Sequence, residues 1–189
     1  MSKAKGTSSA GLALGILTAI NLLNYLDRFL LPPLVPLISQ DLVLDDEQAG
    51  WLGSAFLLVY SFASPLFGRF GDKRSRPLLI FIGVLLWSLS TGLAGFAVGF
   101  VSLFIARAFV GVGEASYGTI APSLLSDLYP KEQREKVMAL FYVAVPIGAS
   151  LGYVLGGGVG AAYGWRVAFW VAGFPGLLLA CLSLFLPDP

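Results

Sequence analysis

A chain of 189 residues that is 57% hydrophobic and only 12% charged carries too little charge to clothe a soluble domain of its size. Its apolar residues fall in long runs and its mean hydropathy is +0.81, the pattern that a membrane solvent demands. A formal net charge of +1 argues against nucleic acid as a partner, the absence of His removes the commonest metal ligand, and the single Cys181 can form no internal disulfide.

Residues 1–10 read as a polar tail in which Lys3 and Lys5 imitate the charged start of a secretory leader. The apolar run that follows passes Asp27 and continues to about Ile38 without a small-residue cleavage site, so a first span over about 11–38 is expected. An acidic loop comes next, and Asp45 with Gln48 has the spacing of a reciprocal N-cap for a second span, about 49–70. Lys73, Arg74 and Arg76 separate it from a third span, about 77–98, opened by Pro77. An uncharged turn near Gly99 leads to a fourth, about 101–128. Pro130 is expected to open a short polar helix before a fifth span, about 137–162, and the sixth covers about 166–186. Each segment supplies the roughly 20 mostly apolar residues that cross a bilayer core. The expected fold is an all-α membrane protein, a six-helix bundle over residues 11–186, with 187–189 starting a central loop.

Basic residues set the orientation. Lys3 and Lys5, then Lys73, Arg74 and Arg76, then Lys131, Arg134 and Lys136 all fall on one side, and Arg166 stands alone on the other. The positive-inside rule makes the first side cytoplasmic and places both termini there.

Asp27, Arg28, Arg107 and Glu114 fall inside spans. Each costs about 2.5–3.5 kcal/mol at a helix centre, so each needs a partner or a wet cavity. A structural salt bridge and a substrate or proton site both satisfy that need. At about 1.5 Å per residue, Asp27 and Arg107 come to similar depths and form a candidate pair, which leaves Glu114 the less compensated acid. Arg107, Gly111, Glu114 and Gly118 share a helical face that reads as a cavity wall, and Asn21, Asn24, Tyr25 and Arg28 form a second polar stripe. In the fifth span Ala144, Gly148, Gly152, Gly156 and Gly160 recur every fourth residue, the pattern of a close helix–helix seam, and Pro146 is expected to bend the helix.

Gly68-Arg-Phe-Gly-Asp72-Lys73-Arg74-Ser-Arg76 resembles the loop signature of the major facilitator superfamily, with Ser75 where a Gly is usual. Arg107 with Gly111 and Gly113, the glycine row of the fifth span, and Gly164-Trp-Arg166 with Phe169 are similar to further motifs of that superfamily. Tyr153 departs from the Pro that often follows Gly152 in antiporters. Asn24-Tyr-Leu-Asp-Arg28 and the run Gly111-Val-Gly-Glu-Ala-Ser-Tyr-Gly-Thr-Ile-Ala-Pro122, ending at Asp127, resemble the Spinster family.

The resemblance implies the N-terminal half of a major facilitator fold, two inverted three-helix repeats facing a C-terminal six-helix half that this chain lacks, as in a truncated protein or gene fragment; this superfamily is the standard instance of that architecture. It implies a secondary transporter exporting lysolipids, sphingoid phosphates or related amphipathic molecules, linked to protons, in a bacterial inner or plasma membrane. Asp27 and Glu114 would exchange protons. Arg28, Arg107, Asn24, Tyr25 and Tyr117 would bind substrate or pair with the acids. Gly68, Asp72, Lys73, Arg74 and Arg76 would latch one state, with a topology signal as the plainer reading of that cluster. Partners are then an amphipathic small molecule, protons and membrane lipids. Two alternatives stay open: an uncoupled organic-anion or phosphate exchanger, and a non-transporting membrane assembly. No Ser–His, metal or phosphate-loop constellation points to an enzyme or to a cofactor.

Overall fold

The computed structural model describes residues 3–188, and side chains from Ser9 onward; Met1, Ser2 and Pro189, at the two ends of the expected tail and loop, lie outside the described residues, as do the side chains of Lys3 and Lys5. Six helices make up the fold: α1 (Lys3–Leu42), α2 (Asp46–Gly71), α3 (Arg76–Ala94), α4 (Phe100–Leu128), α5 (Lys131–Tyr163) and α6 (Trp165–Ser183). No strand occurs among the described residues, and each helix is long and apolar enough to cross a membrane. Asp45 caps α2 as its spacing predicts: its side chain accepts from Gln48 N at 2.8 Å, and the Gln48 amide oxygen accepts from Asp45 N at 3.4 Å. The separate polar helix expected after Pro130 does not exist. Pro130 takes an extended conformation as the N-cap of α5, which then runs unbroken through the charged turns into the apolar span. Two expected spans overshoot. α3 stops at Ala94, where Gly95 caps it, and α6 stops at Ser183.

Short connections make sequence neighbours antiparallel, so a unit of three helices ends on the face opposite its start and the next unit is inverted. The contacts show this relation. α1 packs most closely on α5, α2 on α4, and α3 on both α4 and α6. Exchanging α1–α3 with α4–α6 maps α1–α5 onto α4–α2 and α3–α4 onto α6–α1, and both pairs of contacts are present.

α1 and α5 meet along the glycine row. A Cβ at Gly148, Gly152 or Gly156 would run into the carbonyl oxygens of Leu22, Leu26 and Leu30, and one at Gly160 into the side chain of Leu34. Glycine every fourth residue lets the two backbones touch where any side chain would hold them apart.

The apolar core divides into two clusters along the helix axes. One takes Ile16, Leu17 and Ile20 of α1 with Val84 and Trp87 of α3. The other takes Leu26, Leu30, Leu34 and Ile38 of α1 with Ala94 of α3 and Leu103 of α4. The buried polar residues Asn21, Asn24, Asp27, Ser88, Ser90, Thr91 and Arg107 lie at the junction, with Glu114 beside it.

Candidate functional site: a buried charge cluster between α1, α3 and α4

Asp27 and Arg28 are adjacent on α1, so their side chains leave the helix about 100° apart. That rotation sends them to different neighbours. Asp27, 1% exposed, turns toward α3, where Thr91 Oγ1 donates to its Oδ2 at 3.1 Å. Arg28 turns toward α4 and α2. Its Nη2 and Nε donate at 2.8 and 3.3 Å to the same oxygen, Oε2 of the fully buried Glu114. The Arg28 guanidinium also stacks over Tyr25, Phe56 and Tyr60, at 4.9, 5.0 and 5.1 Å from the ring centroids. A cation in such an aromatic cage is favoured by three ring faces while one edge stays open.

The expected pairing is therefore corrected. Asp27 and Arg107 form no ion pair; the intramembrane pair is Arg28–Glu114. Depth along each helix can be counted from the sequence, but the rotation that decides which side chains meet cannot. Arg107, 2% exposed, lies close enough to both acids to feel their charge, and its guanidinium sits 5.3 Å from the Phe56 ring. Asp27, not Glu114, is thus the acid without a bonded cation.

The cluster is incompletely satisfied. Asp27 Oδ1, Glu114 Oε1, Arg107 Nε, Asn24 Nδ2 and Trp87 Nε1 are buried and have no hydrogen-bond partner among the described residues. Native interiors pair nearly all such atoms, and each orphan costs about 1–3 kcal/mol. Their clustering leaves this part of the interior less fully hydrogen-bonded than an ordinary packed core. Two of the orphans, Trp87 Nε1 and Asp27 Oδ1, belong to side chains in contact, as do Asn24 Nδ2 and Glu114 Oε1.

Asn24, Tyr25, Arg28 and Tyr117 come together around one cavity of about 130 Å³, joined by Tyr60 and Tyr142. Asp27 and Arg107 lie outside its lining, Asp27 turned to Thr91 of α3 and Arg107 to the Phe56 ring of α2. Asn21 and Tyr117 are tied to backbone: Asn21 Nδ2 donates to Phe141 O at 3.0 Å and the Tyr117 hydroxyl to Leu17 O at 2.6 Å. The stripe on α4 is also corrected. Gly118 does line the cavity, but Gly111 is a packed seam, where a Cβ would meet Phe56 O and Tyr60 N of α2. Sequence reasoning missed Phe56, Tyr60, Trp87 and Thr91; the Ser88–Ser90–Thr91 patch in an otherwise apolar span was the available signal.

At the other charged cluster, Arg76 Nη1 bonds Asp127 Oδ2 at 2.5 Å, tying the start of α3 to the end of α4. Asp72, Lys73 and Arg74 are exposed. Gly68, Asp72 and Arg76 line a cavity of about 250 Å³ with Thr119 and Ser123.

Six spanning helices in two inverted repeats, with opposed charges buried where the repeats meet, define a polytopic membrane bundle built around a polar centre. The chain belongs to the Major Facilitator Superfamily, whose family profile matches residues 17–189. Among curated proteins it is similar to Protein spinster of Drosophila melanogaster, 40% identical over 175 residues, which is 92% of this chain and 29% of that protein. It is likewise similar to Protein spinster homolog 1 of Homo sapiens, 41% identical over 181 residues, 94% of this chain and 34% of that protein. The chain thus spans about a third of the length of these relatives. A crystal structure of a bacterial homolog to the human lysosomal transporter Spinster, inward-facing and unoccupied, superposes with a TM-score of 0.87 at 28% identity over 96% of this chain and 44% of that one. An inward-facing and occupied form of a bacterial homolog gives the same score.

Proposed function

We propose that this chain forms the N-terminal half of a proton-coupled secondary transporter that exports lysolipids, sphingoid phosphates or related amphipathic molecules by alternating access. The observation that carries the reading is the intramembrane cluster: two acids and two arginines, all but Arg28 fully buried, beside a cavity walled by aromatic rings. Arg28 is the only one of the four with an exposed edge (24% of its side chain), which suits it to an anionic headgroup. Such a headgroup would compete with Glu114 for the same guanidinium. Asp27 would take up the proton, since no cation is bonded to it, and Glu114 would exchange Arg28 for a proton in a later step. Two arginines balance two carboxylates, so each proton gained leaves the cluster one charge more positive and changes which state is favoured. Gly68, Asp72 and Arg76, with Asp127, would hold one state closed at the cytoplasmic face, and the resemblance of Asn24–Arg28 and Gly111–Pro122 to the Spinster family is what suggests the substrate class.

The test is transport by the full-length protein in liposomes, using a fluorescent lysophospholipid with and without an imposed pH gradient. Gradient-dependent movement supports the reading. Equal movement in both conditions, abolished by Arg28→Ala and indifferent to Glu114→Gln, would replace it with the anion exchanger. Orientation is checked separately: on a background with Cys181 replaced, a cysteine at Asp46 should label from outside and one at Ser75 only from inside.

A further inference from the structure

The second half-exposed ion pair lies on the opposite face of the bundle from Arg76–Asp127. Asp41, one residue before the end of α1, accepts from Arg166 Nη1 and, at 3.1 Å, from Trp165 Nε1. Arg166 Nη2 reaches Ala97 O in the α3–α4 turn at 3.1 Å, and its guanidinium lies 4.2 Å from the Trp165 ring centroid. Gly164, at φ 87°, makes the one-residue turn that delivers Trp165 and Arg166 to this place. Asp41 and Arg166 together thus join the end of α1, the start of α6 and the turn between α3 and α4.

The numbering relates this group to the other pair. Arg28 and Glu114 are 86 residues apart, and so are Asp41 and Asp127. Under that shift α1 falls on α4, and Arg28 and Glu114 become equivalent positions that bond to each other across the axis relating the repeats. Asp41 and Asp127 become equivalent too, each one residue from the end of its helix. Their arginine partners also correspond: Arg76 is the first residue of α3 and Arg166 the second of α6. Contacts near the axis obey the same exchange, since Gly111 packs on Tyr60 as Gly148 packs on Tyr25.

We infer that Asp41, Trp165 and Arg166 form a clamp that is the repeat-related counterpart of Arg76–Asp127, and that the two clamps bias alternating access in opposite directions. This rests on the alternating-access reading above but not on proton coupling or on the substrate. Each clamp fixes the helix ends that form one face of the half, and the state closed on that face depends on those ends being in place. Loosening a clamp therefore favours the state open to its own side. The two carboxylates are equally exposed, at 46%, and Arg76 is the more buried arginine, at 21% against 37% for Arg166, so both pairs are partly solvated.

The experiment places a cysteine at Tyr142, which lines the central cavity and is 47% exposed, in full-length protein lacking Cys181. Labelling by a membrane-impermeant maleimide is timed from each side of the liposome. Arg166→Gln should raise the ratio of labelling from the Asp41 side to that from the Asp127 side by about threefold, the scale of a half-exposed ion pair. Arg76→Gln should lower it by a similar factor. The exchange of charges, Asp41→Arg with Arg166→Asp, should return the ratio toward wild type. The inference is overturned if Arg166→Gln leaves the ratio unchanged or moves it in the same direction as Arg76→Gln. It is also overturned if the charge exchange is no better than the single changes in folded yield and ratio. Labelling of the wild type from one side alone, whatever the variants do, would reject alternating access itself.

Discussion

The two sides of α1 are built to opposite specifications. Toward α5, Leu22, Leu26 and Leu30 lie backbone on backbone against Gly148, Gly152 and Gly156, and Gly160 takes the side chain of Leu34. Toward α3 and α4, Asp27 and Arg28 face Thr91 and Glu114 across a layer with five unpartnered polar atoms. The first side gains from close contact and has one good arrangement. The second leaves polar atoms without partners, and on the proposed reading a proton or an anion would replace one of its present partners. On the proposed reading, a rigid seam on one flank would let a soft polar layer exist on the other, in a helix that would hold its place while its partners change.

The largest effect should come from filling the seam. Gly152→Leu drives a side chain into Leu26 O, at a cost of about 3 kcal/mol or more. The full-length protein should lose monodisperse folded material on size-exclusion chromatography, whereas Gly157→Leu, at an open position in the same helix, should not. On the polar side the same loss of structure is not expected. Glu114→Gln keeps the shape but removes a charge-assisted bond to Arg28 worth about 1.5–3 kcal/mol. Gradient-driven transport should fall roughly tenfold to a hundredfold with folded yield unchanged. Smaller again is Thr91→Val, which removes, at nearly constant volume, the one hydrogen bond that Asp27 accepts among the described residues. A loss of about fivefold is expected, the equivalent of about 1 kcal/mol, with Thr91→Ser recovering most of it. A polar-side change that unfolds the protein as Gly152→Leu does would erase the distinction between the two flanks.

Most of the first flank could be read from the sequence, because a seam depends on spacing within one helix, and spacing is what a sequence records. The glycines every fourth residue, the Asp45–Gln48 cap and the six apolar runs all belong to this kind. The second flank could be read only in part. That Asp27, Arg28, Arg107 and Glu114 would be costly in lipid follows from residue type, and their depths follow from counting. Which acid meets which arginine depends on how α1 and α4 are rotated about their axes, and neither spacing nor depth contains that angle. The same gap hid the packing of Gly111 on α2, which from α4 alone reads as open space. It also hid the tie between Asp41 and Arg166, which are 125 residues apart in the chain and come together through the folds of both repeats.

The central proposal is that Asp27, buried and hydrogen-bonded to the Thr91 hydroxyl, is where a proton is coupled to movement of the substrate. The direct measurement compares two assays on Asp27→Asn in the full-length protein: accumulation of a fluorescent lysophospholipid driven by an imposed pH gradient, and its exchange between the two sides of the liposome with no gradient. The account predicts that accumulation disappears while exchange continues, since the asparagine keeps the shape and the hydrogen bond to Thr91 but cannot titrate. Accumulation at the wild-type level by Asp27→Asn would contradict it.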